Sequence, residues 1–115
     1  MNHSDACNTV IFEIQAHGGR AWRREVGLFY DERGGARTIG VKGQADVYGI
    51  MPGGRHIEVE VKTGNATRHE KQRAWAHFVK EMGALYHLAR FNDLVDGRET
   101  LSDYLQEHGH GRIDS

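Results

Sequence analysis

An α/β domain, built as a mixed sheet flanked by helices, is what this 115-residue sequence predicts. The first observation behind it is the order of periodic segments: a helical pattern, three strand-like runs, a second helical pattern, a fourth strand and a last helical stretch. The second is the turn signal MPGGR at residues 51–55, which folds two β-forming runs into a hairpin. The third is Thr67 followed three residues later by Glu70, a capping box that opens an amphipathic run. The length suits one domain with one core, its body spanning about residues 4–107 and its tail, 108–115, expected to fray.

Each element has its own reason. Ser4 is a plausible N-cap for a first helix whose stripe is Val10, Ile11 and Ile14, and Gly18-Gly19 stops it. AWRREVGLFYD, residues 21–31, is rich in aromatic and β-branched residues and reads as a strand, with Gly27 marking a bulge. The basic, glycine-rich stretch 32–44 reads as a loop or an irregular hairpin. ADVYGI and HIEVEVK, residues 45–50 and 56–62, are the two arms of the hairpin. On the second helix Trp75, Phe78, Val79 and Met82 fall at i, i+3, i+4 and i+7, which marks them as core. ALYHLAR, residues 84–90, is the fourth strand, and Leu101, Tyr104 and Leu105 line the last helix.

Composition narrows the class. No apolar run approaches the ~18 residues that a membrane span needs, and the first residues have no hydrophobic signal core, so the expected compartment is the cytoplasm. A single cysteine, Cys7, excludes an internal disulfide and reads as a small apolar helix residue. The net charge is -1, yet it is segregated: residues 1–91 hold 13 Lys and Arg against 10 Asp and Glu, and residues 92–115 hold 2 against 6. A basic body of this kind can engage phosphates locally. Gly34-Gly35 and Gly53-Gly54 lack a following Lys-Ser/Thr, so no nucleotide cofactor is expected.

The chemistry concentrates in the hairpin. Period-two geometry sends Ile57, Val59 and Val61 to one face and His56, Glu58, Glu60 and Lys62 to the other. Folding about the Pro-Gly-Gly turn can bring Asp46 beside Glu60, and aspartate is a poor strand former that calls for a reason. Two close carboxylates repel each other unless a cation lies between them, and oxygen ligands are what Mg²⁺ prefers. Lys62, further along the same face, can reach a bound water or phosphate oxygens. The set points to phosphodiester hydrolysis.

Asp46 followed by Glu60-Val61-Lys62 resembles the D…(D/E)xK signature of the PD-(D/E)XK nuclease superfamily. Within it, Gly43-x-x-Asp46, the EVK triplet and Gln72 on the next helix resemble the VRR-NUC family in its short stand-alone, viral type. The resemblance covers roughly residues 10–91. It implies a restriction-endonuclease-like core and Mg²⁺ or Mn²⁺ held by Asp46, Glu60 and the carbonyl of Val61. Lys62 would then be the catalytic lysine, Gln72 would support the centre, and Glu13 of the first helix would supply a further carboxylate. Ala45 stands where the superfamily's name has proline. The implied activity is DNA cleavage, structure-specific for branched or four-way-junction substrates of the kind met in repair, by a homodimer acting in the host-cell cytoplasm if the protein is viral.

Arg20, Arg23, Arg24, Lys42, Arg68, Lys71 and Arg73 lie near element ends that converge on this centre and are the candidate phosphate contacts. Each has a plainer reading as a solvated charge. Glu58 is expected at the surface or behind the site. Two other functions stay open: a nucleic-acid-binding module without catalysis, and an RNA-processing nuclease on the same site.

Overall fold

The computed structural model describes residues 1–24, 27–30, 32–39 and 43–109. Helix α1, His3–Ala16, begins two residues earlier than Ser4 would set it, because Asn2 caps it by accepting the amide N–H of Asp5 at 2.8 Å. The aromatic run after it divides. Its first part is β1, Arg20–Arg23, and its second part is β2, Gly27–Tyr30, which pairs with β3, Ala36–Ile39, as a separate antiparallel two-stranded sheet. The stretch expected as a loop or irregular hairpin therefore supplies half of a ladder.

The main sheet has the order β1-β4-β5-β6, with β4 spanning Val47–Met51, β5 Arg55–Thr63 and β6 Leu85–Phe91. The first three strands pair antiparallel, and β6 joins β5 in parallel. That parallel step needs a crossover, which is helix α2, Glu70–Glu81. A last helix, α3, Gly97–Tyr104, runs into a single π-helical stretch over residues 105–109. The sheet is mixed and has helices on both faces.

One face of the sheet packs against α1 and α3. Val10 and Ile14 meet Val47, Ile57, Val59 and Val61, with Leu101 and Leu105 closing the layer, and all of these are almost wholly buried. The other face carries a smaller apolar group, Ala45, Ala76, Val79 and Tyr86, with Trp75 and Ala84 packed on it. Here the expected helix stripe is corrected. Val79 is buried and Trp75 half-buried, but Phe78 is 49% and Met82 67% exposed. Helix α2 turns Ala76 and Val79 to the sheet, and the face carried by β1 and β4 extends beyond it.

Two glycines set how closely the layers approach. A Cβ on Gly49 would run into the carbonyl oxygen of Arg20 on β1, so β1 and β4 meet tightly only without one. Gly43 has φ +93° and lies against the backbone of Lys71 in the first turn of α2, which leaves no room for a side chain. The approach to Asp46 thus passes under that helix end.

Candidate active site

Asp46 stands one residue before β4. The register pairs Val47 with Val59, so its extension by one residue sets Asp46 across from Glu60. The side chain confirms the closeness: Oδ2 of Asp46 accepts the amide N–H of Val61 at 2.8 Å. Its other oxygen, Oδ1, lies 3.4 Å from Nε2 of His3 in the first turn of α1. The carbonyl oxygen of Asp46 accepts the amide of Arg24 at 2.7 Å, so this residue ties β1, α1 and β5 together. The side chain remains partly exposed.

Glu60 has no solvent exposure. Nε of Arg68, in the turn before α2, donates to both of its oxygens at 3.1 and 3.2 Å. The Tyr86 hydroxyl on β6 donates to Oε1 at 2.7 Å, and Nζ of Lys62 is 3.9 Å from Oε2. Burial, then the bond to Glu60 and its charge, push the Tyr86 phenol well above its ordinary range, so it stays a donor. A carboxylate taken out of water needs such partners, because burying it alone is far too costly.

Glu58, two residues back on the same face, is buried too. Trp75 Nε1 donates to Oε1 at 2.7 Å, and His56 Nε2 is 2.8 Å and an Arg24 terminal nitrogen 3.3 Å from Oε2. The alternating acids of β5 are therefore not a wetted face. Helix α2 covers them, and each acid has its own cations and donors.

Sequence reasoning pointed to several residues that the structure places elsewhere. Glu13 is at the far end of α1 from His3, ten residues or about 15 Å along the axis, and pairs with His17 at 3.4 Å. It does not join Asp46. Gln72 uses its side-chain oxygen to accept the amide of His69 at 3.2 Å and so caps α2; the cap is His69 with Gln72, not Thr67 with Glu70. Arg24 and Arg68, expected as phosphate contacts, hold Glu58 and Glu60. Arg23 donates to Ser4 Oγ at 2.9 Å, while Arg20, Lys71 and Arg73 point outward as exposed residues. Lys42 lies outside the described residues.

The structure also contributes residues that the motif does not announce. His3 and Tyr86 sit in no recognisable pattern, although Tyr86 pairs with Glu58 across the parallel ladder and its side chain reaches the same face. A hollow before α3, lined by Met1, Thr9, Phe91, Asp93, Asp96 and Glu99, contains none of Asp46, Glu58 and Glu60. Cys7, buried beside the site, has its thiol pushed up to about 11, chiefly by burial and then by Asp46. The shift favours the neutral thiol over the thiolate.

No family model matches the sequence, and no curated protein matches it. Among solved structures, a chain described as a VRR_NUC domain protein superimposes with TM-score 0.51 at 14% identity, over 98% of this chain and 98% of that one. The fold is restriction-endonuclease-like. The VRR_NUC neighbour thus shares the layout of sheet and helices over its whole length, while the identity is too low to carry individual residues across.

The family that this sequence resembles would place a divalent metal at the centre, and the donor set can be judged for it. Among the described residues no group of three or more His, Cys, Asp and Glu could hold a metal ion. Mg²⁺, however, takes one or two carboxylates and completes its shell with water or phosphate. Asp46 and Glu60 flank one peptide unit, and Glu60 already binds a guanidinium through both oxygens. The donor chemistry of the two carboxylates suits such an ion, and in this structure Arg68 engages both of the Glu60 oxygens that it would need.

Proposed function

We propose that the chain is a divalent-metal-dependent endonuclease that hydrolyses phosphodiesters in DNA. The observation that carries this reading is the Asp46 to Val61 hydrogen bond, which draws the aspartate against the Glu60-Val61-Lys62 strand. The resemblance of those residues to the PD-(D/E)XK signature and the VRR_NUC name of the structural neighbour support it.

Asp46, Glu60 and the carbonyl oxygen of Val61 would hold Mg²⁺ or Mn²⁺. Bound there, the ion polarises the phosphoryl group and lowers the pKa of a water. The remaining work belongs to the protein. Lys62, mostly buried and 3.9 Å from Glu60, offsets negative charge that develops on the phosphate and holds the attacking water by donating to it. Arg68, which donates to Glu60 from the segment before α2, would offer the rest of its guanidinium to the phosphate oxygens. Arg20, Lys71 and Arg73 attract the backbone from outside. Gln72 acts through the helix end that it caps, and Glu13 has no part.

A domain of this size has little surface for reading a long sequence, so selection rests on DNA shape. By analogy with viral junction-processing enzymes, the substrate is a branched or four-way junction and the acting species a homodimer. No helix among the described residues is long and apolar enough to cross a membrane.

The test is incubation of linear, flap and four-way DNA, and matched RNA, with Mg²⁺, Mn²⁺ or EDTA. Wild type should cut DNA with either metal and not in EDTA, while Lys62→Ala and Asp46→Ala lose at least about 100-fold in rate, the scale of one lost transition-state contact. Equal cutting by all three proteins, or none by any, removes the assignment. Preference for the RNA forms would make it an RNA nuclease, and binding without cutting a silent module.

A further inference from the structure

Helix α2 covers the β5 and β6 side of its face of the sheet and stops short of the β1 and β4 side. By register, Arg20, Trp22, Tyr48, Ile50, His56 and Glu58 share that face. Trp22 is 49% exposed and Ile50 50%, an unusual outlay of large apolar surface on strands. The Trp22 and Tyr48 rings are 5.9 Å apart and inclined by 37°. The Arg24 guanidinium lies 4.6 Å over the Tyr48 ring and is anchored to the buried Glu58 at 3.3 Å. Arg24 therefore fixes the tyrosine from one side, and Trp22 stands outermost.

The charge on this face is positive toward solvent. Among the described residues the one acid on this face is Glu58, which is buried and already faces Arg24 and His56, while Arg20 is exposed at the rim beside Ile50. Aromatic rings among cations suit one kind of partner, a polyanion with flat apolar faces. Bases within a duplex have both faces stacked already. Only unpaired ones can be accepted.

We infer that the uncovered β1–β4 face, through Trp22 and Tyr48 with Arg20 and Arg24, is a stacking platform for unpaired bases of a nucleic-acid strand. The inference rests on the nuclease reading for its place in a reaction: Tyr48 is two residues from Asp46, roughly 7 Å along β4. A single strand laid on the platform leads its backbone toward the acids. An arrangement of this kind prefers substrates with single-stranded arms, loops or opened branch points over continuous duplex.

The test measures binding in EDTA, where cleavage plays no part, with fluorescently labelled oligothymidylate and the same strand annealed to its complement. Wild type should bind the single strand more tightly than the duplex. Trp22→Ala should weaken single-strand binding by about ten-fold, the effect of one lost base–aromatic stack, and leave duplex binding unchanged. Trp22→Phe should keep most of the affinity, and circular dichroism should show both variants folded, as expected for a half-exposed residue on an edge strand. Equal binding of the two DNA forms by wild type, no binding of the single strand, or an unchanged affinity in Trp22→Ala overturns the platform. If Trp22→Ala instead converts a dimer to a monomer in sedimentation while single-strand affinity holds, a second copy covers this face and the inference is wrong. The platform is read from binding in EDTA and the catalytic assignment from cutting in Mg²⁺ or Mn²⁺, so a failed platform and a failed catalytic assignment give different results.

Discussion

Glu60 combines full burial with four polar contacts, and its surroundings determine what each neighbour is worth. Arg68 spans both carboxylate oxygens, whereas Lys62 is at the long limit of an ion pair. Removing one partner of a buried pair costs about 3–5 kcal/mol, because the other charge is left in a poor medium. Arg68 is partly exposed, and Tyr86 remains as a donor, so Arg68→Ala should lose about 3 kcal/mol in urea unfolding at neutral pH. Glu60→Gln should lose less, since the amide oxygen still accepts from Tyr86. His87 presents the opposite case, a buried imidazole whose Nε2 has no hydrogen-bond partner among the described residues. Burial pushes its pKa from 6.5 down to about 4. Between those values the unfolded chain binds a proton that the folded chain does not, so stability is full above the upper value and declines as pH falls toward the lower. The decline should approach about 3 kcal/mol. His87→Phe keeps the ring against Tyr104, 4.8 Å away, and should flatten the pH profile of the melting temperature relative to wild type across that window.

At the scale of elements, the hairpin of β4 and β5 was legible because turn chemistry and alternation agree on it. Pro52-Gly53-Gly54 supplies the turn, and Ile57, Val59 and Val61 supply a face. The division of residues 21–31 between two sheets was not legible. Propensity describes each residue's liking for extended backbone, and both halves like it; nothing local says that the second half pairs with residues 36–39 instead of continuing beside β4. The second helix shows a related limit. Its i, i+3, i+4, i+7 stripe was real, but a stripe shows which side is apolar and not how much of a sheet lies beneath it. Phe78 and Met82 project past the cover that Ala76 and Val79 make. The α2 cap was missed because histidine is an unusual cap residue, while Thr67 and Glu70 matched the commoner pattern. Close approach makes its own demand: Gly49→Ala should separate β1 from β4, with a loss of at least about 2 kcal/mol, since the added methyl meets backbone and cannot be turned aside. Thermal denaturation against wild type would measure it.

For the whole molecule, two apolar layers of unequal size enclose the four-stranded sheet. The larger depends on the C-terminal helix, since Leu101 and Leu105 are fully buried against the α1 side and the Tyr104 hydroxyl accepts the amide of Tyr86 at 3.1 Å. Leu101→Ala should therefore cost about 2–5 kcal/mol, enough to lower the melting temperature by more than 8 °C in a domain of this size. A differential scan would show the drop. The smaller layer holds the acids. Asp46 and Glu60 could be singled out from sequence, because carboxylates in β-forming segments invite an explanation. Their supporting shell was legible only at Arg68, and there as a phosphate contact and not as the partner of Glu60; His3 and Tyr86 come from separate stretches whose meeting is a property of the tertiary fold. The parallel step from β5 to β6 has a consequence for how the molecule matures. Arg68 and Tyr86 reach Glu60 only after the crossover has been laid down and the sixth strand has zipped onto the fifth. A nascent chain halted before that point keeps the glutamate hydrated and ungathered, so this knot of charges comes into being together with the finished tertiary structure and not before it.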